Sequence, residues 1–335
     1  MTDPTPLYRL RDGVYAADLL IVAIADLDLF TLVDEVGSVD AATLCERLGL
    51  DPRAADVMLT YLVALGLLER GPERRVRLSA MAAEHLVAGS PLDLRAYFGS
   101  LRERPACAEL LAVLRTGEPA GWASAGREWA ERLDEPDFAR RITAAMDARA
   151  AFLGPRLATA LSDIPAHRVL DVGGGSGAYA CALIDGRPGM RATVLERPPV
   201  DAAARTLLAG RGYADRVEVA TGDMFADPLP AGHDLHLFSH VLHDWGEQQV
   251  RALLAASFAA LPAGGWIVDH DTHIDERKTG PLPVAEYSVL LMHSTPGKCW
   301  STGELAAMLT DAGFAGVESR ATAADRTAIV ARKYG

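Results

Sequence analysis

Apolar positions follow two different rhythms along this chain. Up to about residue 100 they recur at helical spacing between turn signals. Within that part "SVDAATLCERLGL" reads as a capped short helix and "DPRAADVMLTYLVALGLL" as a second, while "ERGPERRVRLS" reads as a two-stranded wing. The three together predict a winged helix. Residues 101–165 keep helical spacing with polar interruptions and end in a connecting helix, "AMDARAAFLGPRLATALSDIP". From Arg168 onward short apolar runs ("RVLDVG", "RATVLE", "RVEVATGD", "LHLFSHVL", "GWIVDH") alternate with alanine- and leucine-rich helical stretches, the pattern of a doubly wound α/β sheet. The tail "FAGVESRATAADRTAIVARK" predicts a closing strand pair, so the sheet is expected to end in an antiparallel element. The expected division is residues 1–100 winged helix, 101–165 helical connector contributing to a substrate pocket, and 166–335 α/β domain.

Composition narrows the classes open to such a chain. Half of its 335 residues are apolar, which excludes disorder. The longest greasy run, "AADLLIVAIADLDLF", is interrupted by Asp18, Asp26 and Asp28, and so reads as a helix of the protein interior rather than a membrane span. The N-terminus lacks a basic-then-apolar signal pattern, which makes a cytoplasmic protein the expectation. Cys45, Cys107, Cys181 and Cys299 are scattered without a CxxC pair, against a thiolate zinc site or a disulfide framework. A net charge of −12 disfavours phosphate backbones and anionic membranes, leaving small molecules or protein partners. The winged helix itself carries six acidic and six basic residues between Ser38 and Ala80, and its second helix offers only Arg53. A structural or dimerising role is therefore expected over DNA binding.

Candidate chemistry gathers in the second half. "VLDVGGGSGAYACALI" places Asp171, Gly173, Gly175 and Gly177 between a strand and a helix, where a backbone can approach a ligand and a helix N-terminus adds donors. Glu196 closes the next strand, 23 residues after Gly173, where a carboxylate can take both ribose hydroxyls. Asp223, in "TGDMF", closes the third. Acidic residues at successive strand ends without a pyrophosphate cradle suit S-adenosylmethionine better than a dinucleotide. Seven of the nine histidines lie between residues 233 and 293. Such a concentration at the carboxyl ends of strands points to the ligand crevice of an open sheet.

The motifs "DVGGGSG", "GDMF", "HVLHDW" and "LPAGG", in this order, make the chain similar over nearly its whole length to the S-adenosylmethionine-dependent O-methyltransferases that include plant phenolic and bacterial antibiotic-tailoring enzymes. The resemblance implies a class I Rossmann-like catalytic domain behind a winged-helix N-terminal domain that forms a homodimer and helps cover the substrate. It further implies that Gly173 and Gly175 contact the methionine portion, Glu196 the ribose, and Asp223 and Met224 the adenine, with Ser239 within reach of the cofactor. Phe138, Met146, Met292 and Trp300 would wall the substrate pocket, though each is also readable as ordinary core; His240 would line it one helical turn before His243, or else cap the strand.

Two mechanisms use His243. In the first, it removes a phenolic or enolic proton, an imidazole near pKa ~6.5 being a reasonable partner for a phenol near ~10. In the family a glutamate after "GGK" orients this histidine, and here Cys299 stands in its place. In the second, His243, Asp244 and His293 ligate a divalent metal (zinc, iron, nickel or magnesium) that binds a 2-oxo acid and stabilises its enolate for C-methylation, as in the similar bacterial 2-oxo-acid C-methyltransferases. The lost glutamate and the crowd of histidines favour the second mechanism, with O-methylation as the alternative. A ligand-sensing regulator and a non-methylating enzyme on the same fold are rivals from other classes. His236 is expected as a hydrogen-bonded core histidine, and Trp245 as packing behind the loop.

Overall fold

A computed structural model describes residues 2–120 and 132–334. The chain divides into two compact units, Met1–Glu128 with Ile274–Ser301, and Trp129–His273 with Thr302–Gly335. These cuts differ from the division expected from sequence. Helix Pro105–Thr116 falls in the first unit and helix Pro136–Ala160 in the second, so the expected connector belongs to both. The stretch 274–301 returns from the α/β part to the helical unit, a long-range exchange that local periodicity does not reveal.

In the helical unit, helix Ala16–Ala25 carries most of its length in apolar residues and buries most of them, as expected of a helix enclosed on several sides. Its buried Asp18 is paired with Arg104. Helix Ala41–Leu48 starts at Asp40, whose carboxylate accepts from the Thr43 N–H at 2.9 Å. Helix Pro52–Ala64 repeats the device, Asp51 accepting from the Ala54 N–H at 2.9 Å. Strands β1 (Leu68–Arg70) and β2 (Val76–Leu78) pair antiparallel with Leu68 opposite Leu78, giving the expected wing. Arg53 is used inside the unit: its guanidinium donates to the carbonyls of Gly117 (2.7 Å), Gly297 (2.8 Å) and Thr295 (3.3 Å). The one arginine that a DNA-reading helix would have offered therefore fastens the 295–297 turn instead. Helix Leu282–Ser294 packs against helix Pro52–Ala64, and Met292 joins Leu19, Phe30, Met58, Leu62 and Leu110 in one core.

The second unit is built on a seven-stranded sheet. Its strands are β3 (Arg168–Val172), β4 (Arg191–Glu196), β5 (Val217–Thr221), β6 (Leu235–Ser239), β7 (Trp266–Asp271), β8 (Ala315–Ala321) and β9 (Thr327–Arg332). They are arranged in the order β5-β4-β3-β6-β7-β9-β8. The five from β5 to β7 run parallel; β9 is antiparallel to β7 and to β8, as the tail predicted. All five residues of β6 are buried, as in a strand covered on both faces, and the polar His236 and Ser239 are each hydrogen-bonded there. The chain reverses its direction of winding between β3 and β6. At such a switch point the loops after the strands part and leave a crevice at their carboxyl ends.

Candidate active site

Five loops reach that crevice, all in the α/β unit. After β3, Gly173, Gly175 and Gly177 take φ of +65°, +57° and +72°, a left-handed path that glycine follows without penalty. The loop folds over Asp171. A Cβ on Gly174 would lie 2.5 Å from the Asp171 carboxylate. Asp171 is completely buried, and among the described residues neither of its carboxylate oxygens meets a hydrogen-bond partner. Burial, followed by the nearby Glu196, pushes its pKa up to about 7. Glu196 ends β4 and accepts from the N–H groups of Gly175 (2.9 Å) and Arg197 (3.1 Å). Burial outweighs those bonds and raises its pKa to about 7 as well.

Beyond β5, the Asp223 carboxylate accepts from the Phe225 N–H at 2.8 Å, closing the turn that also holds Met224; both residues are half-buried. Phe225 meets Trp245 edge to face with ring centroids 4.6 Å apart, which bears out Trp245 as packing. Ser239, the last residue of β6, shares a hydrogen bond of 2.9 Å with His270 Nδ1.

The stretch after β6 forms a short 3-10 turn, Leu242–Asp244, that carries His243. Its Nδ1 lies 2.7 Å from Oδ1 of Asp271, the last residue of β7. An ionised carboxylate only accepts, so this contact sets the tautomer: Nδ1 carries the proton and the neutral ring holds its lone pair on Nε2. Burial pulls the His243 pKa down, but the Asp271 and Asp244 carboxylates override it and leave it raised above 6.5. Asp271 is held well below the usual carboxylate range: burial pushes it up, and the charges of His243 and His240 pull it down further. Asp244 Oδ1 stands 3.6 Å from His243 Nε2, and burial raises the pKa of Asp244 to about 6.

His240 is buried in the left-handed region at φ +57°, with Nδ1 3.3 Å from the same Asp271 oxygen. Behind it, His270 is pushed down to about 3 by burial, and His273 Nε2 pairs with Asp269 at 2.8 Å. His236 bonds Ser257 at 2.7 Å in the core, as expected.

His293 lies in the helical unit, fully buried in the last turn of helix Leu282–Ser294. Its Nε2 is 2.8 Å from Glu109 Oε2, its Nδ1 3.2 Å from Ser294 Oγ, and its ring stacks on Tyr15 at 4.1 Å. Both ring nitrogens of His293 are thus engaged locally, and these bonds give no support to the expected metal set of His243, Asp244 and His293. Of the expected pocket residues, Phe138 is buried, Met146 half-buried and His240 buried in the α/β unit. Met292 and the buried Trp300 belong to the helical unit, Met292 as core and Trp300 beneath the Lys298 ammonium. Cys299 is buried there too, its N–H donating to Ser288 Oγ at 3.1 Å.

Sequence reasoning missed the partner of each histidine. Asp271 was legible only as an acidic residue at the end of an apolar strand, one of several. Glu109 lies 184 residues from His293, with no local signal to join them.

An α/β sheet with a glycine loop, acidic strand ends and a carboxylate-held histidine defines a group-transferring enzyme of the class I methyltransferase fold. Comparison with known families narrows this. The family model described as the O-methyltransferase domain matches residues 108–315, and that of the O-methyltransferase dimerisation domain matches residues 8–88. The chain belongs to this O-methyltransferase family. It is 34% identical over 319 residues to the 3-hydroxy-5-methyl-1-naphthoate 3-O-methyltransferase of Streptomyces sahachiroi, covering 94% of this chain and 91% of that one. An O-methyltransferase family 2 protein from Planctomyces limnophilus, solved in complex with apigenin, superposes with a TM-score of 0.88 at 31% identity, over 99% of this chain and 96% of that one. The structure described as PigF with SAH aligns at a TM-score of 0.61 and 27% identity, over 99% of this chain and all (100%) of that one. The chain is thus an S-adenosylmethionine-dependent methyltransferase.

Proposed function

We propose that this enzyme methylates an aromatic hydroxyl of a small specialised metabolite, with His243 as the general base and Asp271 as the residue that orients it. The observation that carries the reading is the 2.7 Å contact between His243 Nδ1 and Asp271 Oδ1 at the mouth of the sheet's switch point. The residues also suit the methyl donor. Asp171 is a buried carboxyl beside Glu196 and under a glycine loop, where a cationic ligand would offset the cost of ionising it. Asp171, Gly173, Gly175, Glu196, Asp223, Met224 and Ser239 would hold S-adenosylmethionine, which brings a methyl group already activated on a sulfonium.

What remains for the protein is to position the acceptor and take its proton. His243 Nε2 takes that proton, and Asp271 stabilises the imidazolium that results. The raised pKa of His243 narrows the gap to a phenol near ~10 and eases the transfer. Phe138, Met146 and His240 are assigned to the acceptor side. No step calls for a metal. Metal-assisted C-methylation of a 2-oxo acid gives way to O-methylation for two reasons: His293 is engaged by Glu109, and the matching family and relative are named for transfer to oxygen. The dimerisation match, together with exposed Leu7, Leu10, Val14, Tyr97 and Leu101 in that unit, supports a homodimer.

The test is a chelator-treated assay with S-adenosylmethionine and a panel of hydroxynaphthoates, flavones and 2-oxo acids, with the product located by NMR. A methyl ether formed alongside S-adenosylhomocysteine is expected. A carbon-bound methyl group, or activity restored only by added metal, would overturn the proposal.

A further inference from the structure

His240, His243 and Asp271 bring one donor atom each to within 4.8 Å of one another, all in buried residues. The separations from Asp271 Oδ1 are 2.7 Å to His243 Nδ1 and 3.3 Å to His240 Nδ1. Donors around a tetrahedral zinc with bonds of ~2.0–2.2 Å lie about 3.4 Å apart, a spacing that the His240–Asp271 separation matches and that the His243–Asp271 separation would reach by opening slightly. A second observation points the same way. Nε2 of His240 and Oδ2 of Asp271 are buried without a hydrogen-bond partner among the described residues, an arrangement that ordinary packing does not tolerate cheaply. His240 is also held there in a left-handed backbone conformation that disfavours residues with a Cβ. The fixed charges next to His243 are Asp271 and Asp244 against Arg149, a balance that favours a cation.

We propose that His240, His243 and Asp271 form an inhibitory site for a zinc-type divalent cation, which switches off the catalytic base by occupying its Nδ1. Two imidazoles and one carboxylate are the donor set of such an ion. The inhibition follows from the tautomer. When the cation takes the Nδ1 lone pair of His243, the proton held there moves to Nε2, and Nε2 can no longer accept one from the substrate. From an imidazolium, one proton is released to solvent and the same neutral, Nε2-protonated ring results. Nothing is oxidised or reduced. These ligands differ from the Lewis-acid set considered from the sequence, and the consequence is opposite: the cation stops turnover instead of driving it.

The inhibitory consequence rests on His243 being the base; the binding does not, so the two are measured separately. Direct titration of zinc into chelator-treated wild-type protein, read by calorimetry and by competition with a chromophoric chelator, is expected to show a site with Kd tighter than about 10 μM. X-ray absorption of the zinc-loaded protein should show two imidazoles and one oxygen donor from the protein, and cobalt in its place should give a tetrahedral visible spectrum. His240→Asn should weaken that site about tenfold or more, and His240→Gln provides a second variant if the first does not fold. Residual activity, scaled to each protein's own metal-free rate, should fall with site occupancy in the wild type and resist zinc in the variants. Absence of a micromolar site, unchanged affinity in both variants, or a ligand shell with one imidazole or none would overturn the proposal. Binding without inhibition would leave the site standing and count against His243 as the base. A metal-free protein that is inactive and gains activity from zinc would overturn the site's inhibitory role and the metal-free mechanism together.

Discussion

Two buried imidazole–carboxylate pairs, one in each unit, have nearly the same local geometry: His243 with Asp271 at 2.7 Å and His293 with Glu109 at 2.8 Å. Their surroundings separate them. His243 sits on a tight turn at the carboxyl end of a parallel strand, beside a glycine loop and strand-end carboxylates, where an open sheet presents its ligands. His293 closes a helix inside a helical core, with its second ring nitrogen on Ser294 and a tyrosine stacked on its face. The first pair fixes the tautomer of a histidine at the strand ends, as the proposed base requires, whereas the second is bonded within a helical core. An imidazole–carboxylate contact therefore says little about catalysis until the other nitrogen and the neighbouring strand ends are known.

The largest effect that would break this contrast lies at His243. His243→Ala should lower kcat by roughly 10²–10⁴-fold, the usual weight of a positioned base, with little change in S-adenosylmethionine affinity. Comparable loss in His293→Ala, measured in the same steady-state assay, would erase the distinction. Asp271→Asn should come next, lowering kcat by up to roughly 10⁴-fold, because the amide can donate to Nδ1 and hold the ring in the wrong tautomer, and it does not stabilise the imidazolium. Glu109→Gln and His293→Ala should instead show mainly in thermal unfolding, at a cost of about 1–3 kcal/mol for a buried group left without its partner, while kcat changes by only a few-fold. The smallest expected effect sharpens the cofactor side. Asp171 and Glu196 both have folded pKa values near 7, raised from the ordinary carboxylate range. In the ligand-free protein their stabilising effect is present at low pH and is lost as pH rises through about 7, where burial must accommodate charge. A cationic ligand favours the ionised forms, so calorimetric affinity for S-adenosylmethionine should rise by roughly tenfold from pH 6 to pH 8. A flat profile would contradict the assignment of these carboxylates.

Much of the fold can be read directly along the chain. Asp40 and Asp51 announce their helices because an N-cap is a local device, and the glycine loop and each parallel strand show in short windows. What could not be read there depends on long-range return. The segment 274–301 rejoins the helical unit after the long intervening stretch 129–273, and it takes Met292, His293, Cys299 and Trp300 with it. Cys299, standing where relatives' glutamate was expected, left the base apparently without an orienting partner. The partner is Asp271, whose role depends on the register of β7 beside β6: Ser239 pairs with His270, and the next residue of each strand turns into the crevice. No spacing within a single strand carries that information.

The most direct measurement is the pH dependence of kcat for methyl ether formation, in chelator-treated buffer, compared between the wild type and Asp271→Asn. The wild type should lose activity on the acid side with an apparent pKa above 6.5, as His243 takes a proton before it can remove one. Removing the Asp271 charge should move that acid limb to lower pH while reducing the plateau. Superimposable acid limbs in the two proteins would contradict the account, because His243 would then not be the titrating base that Asp271 holds.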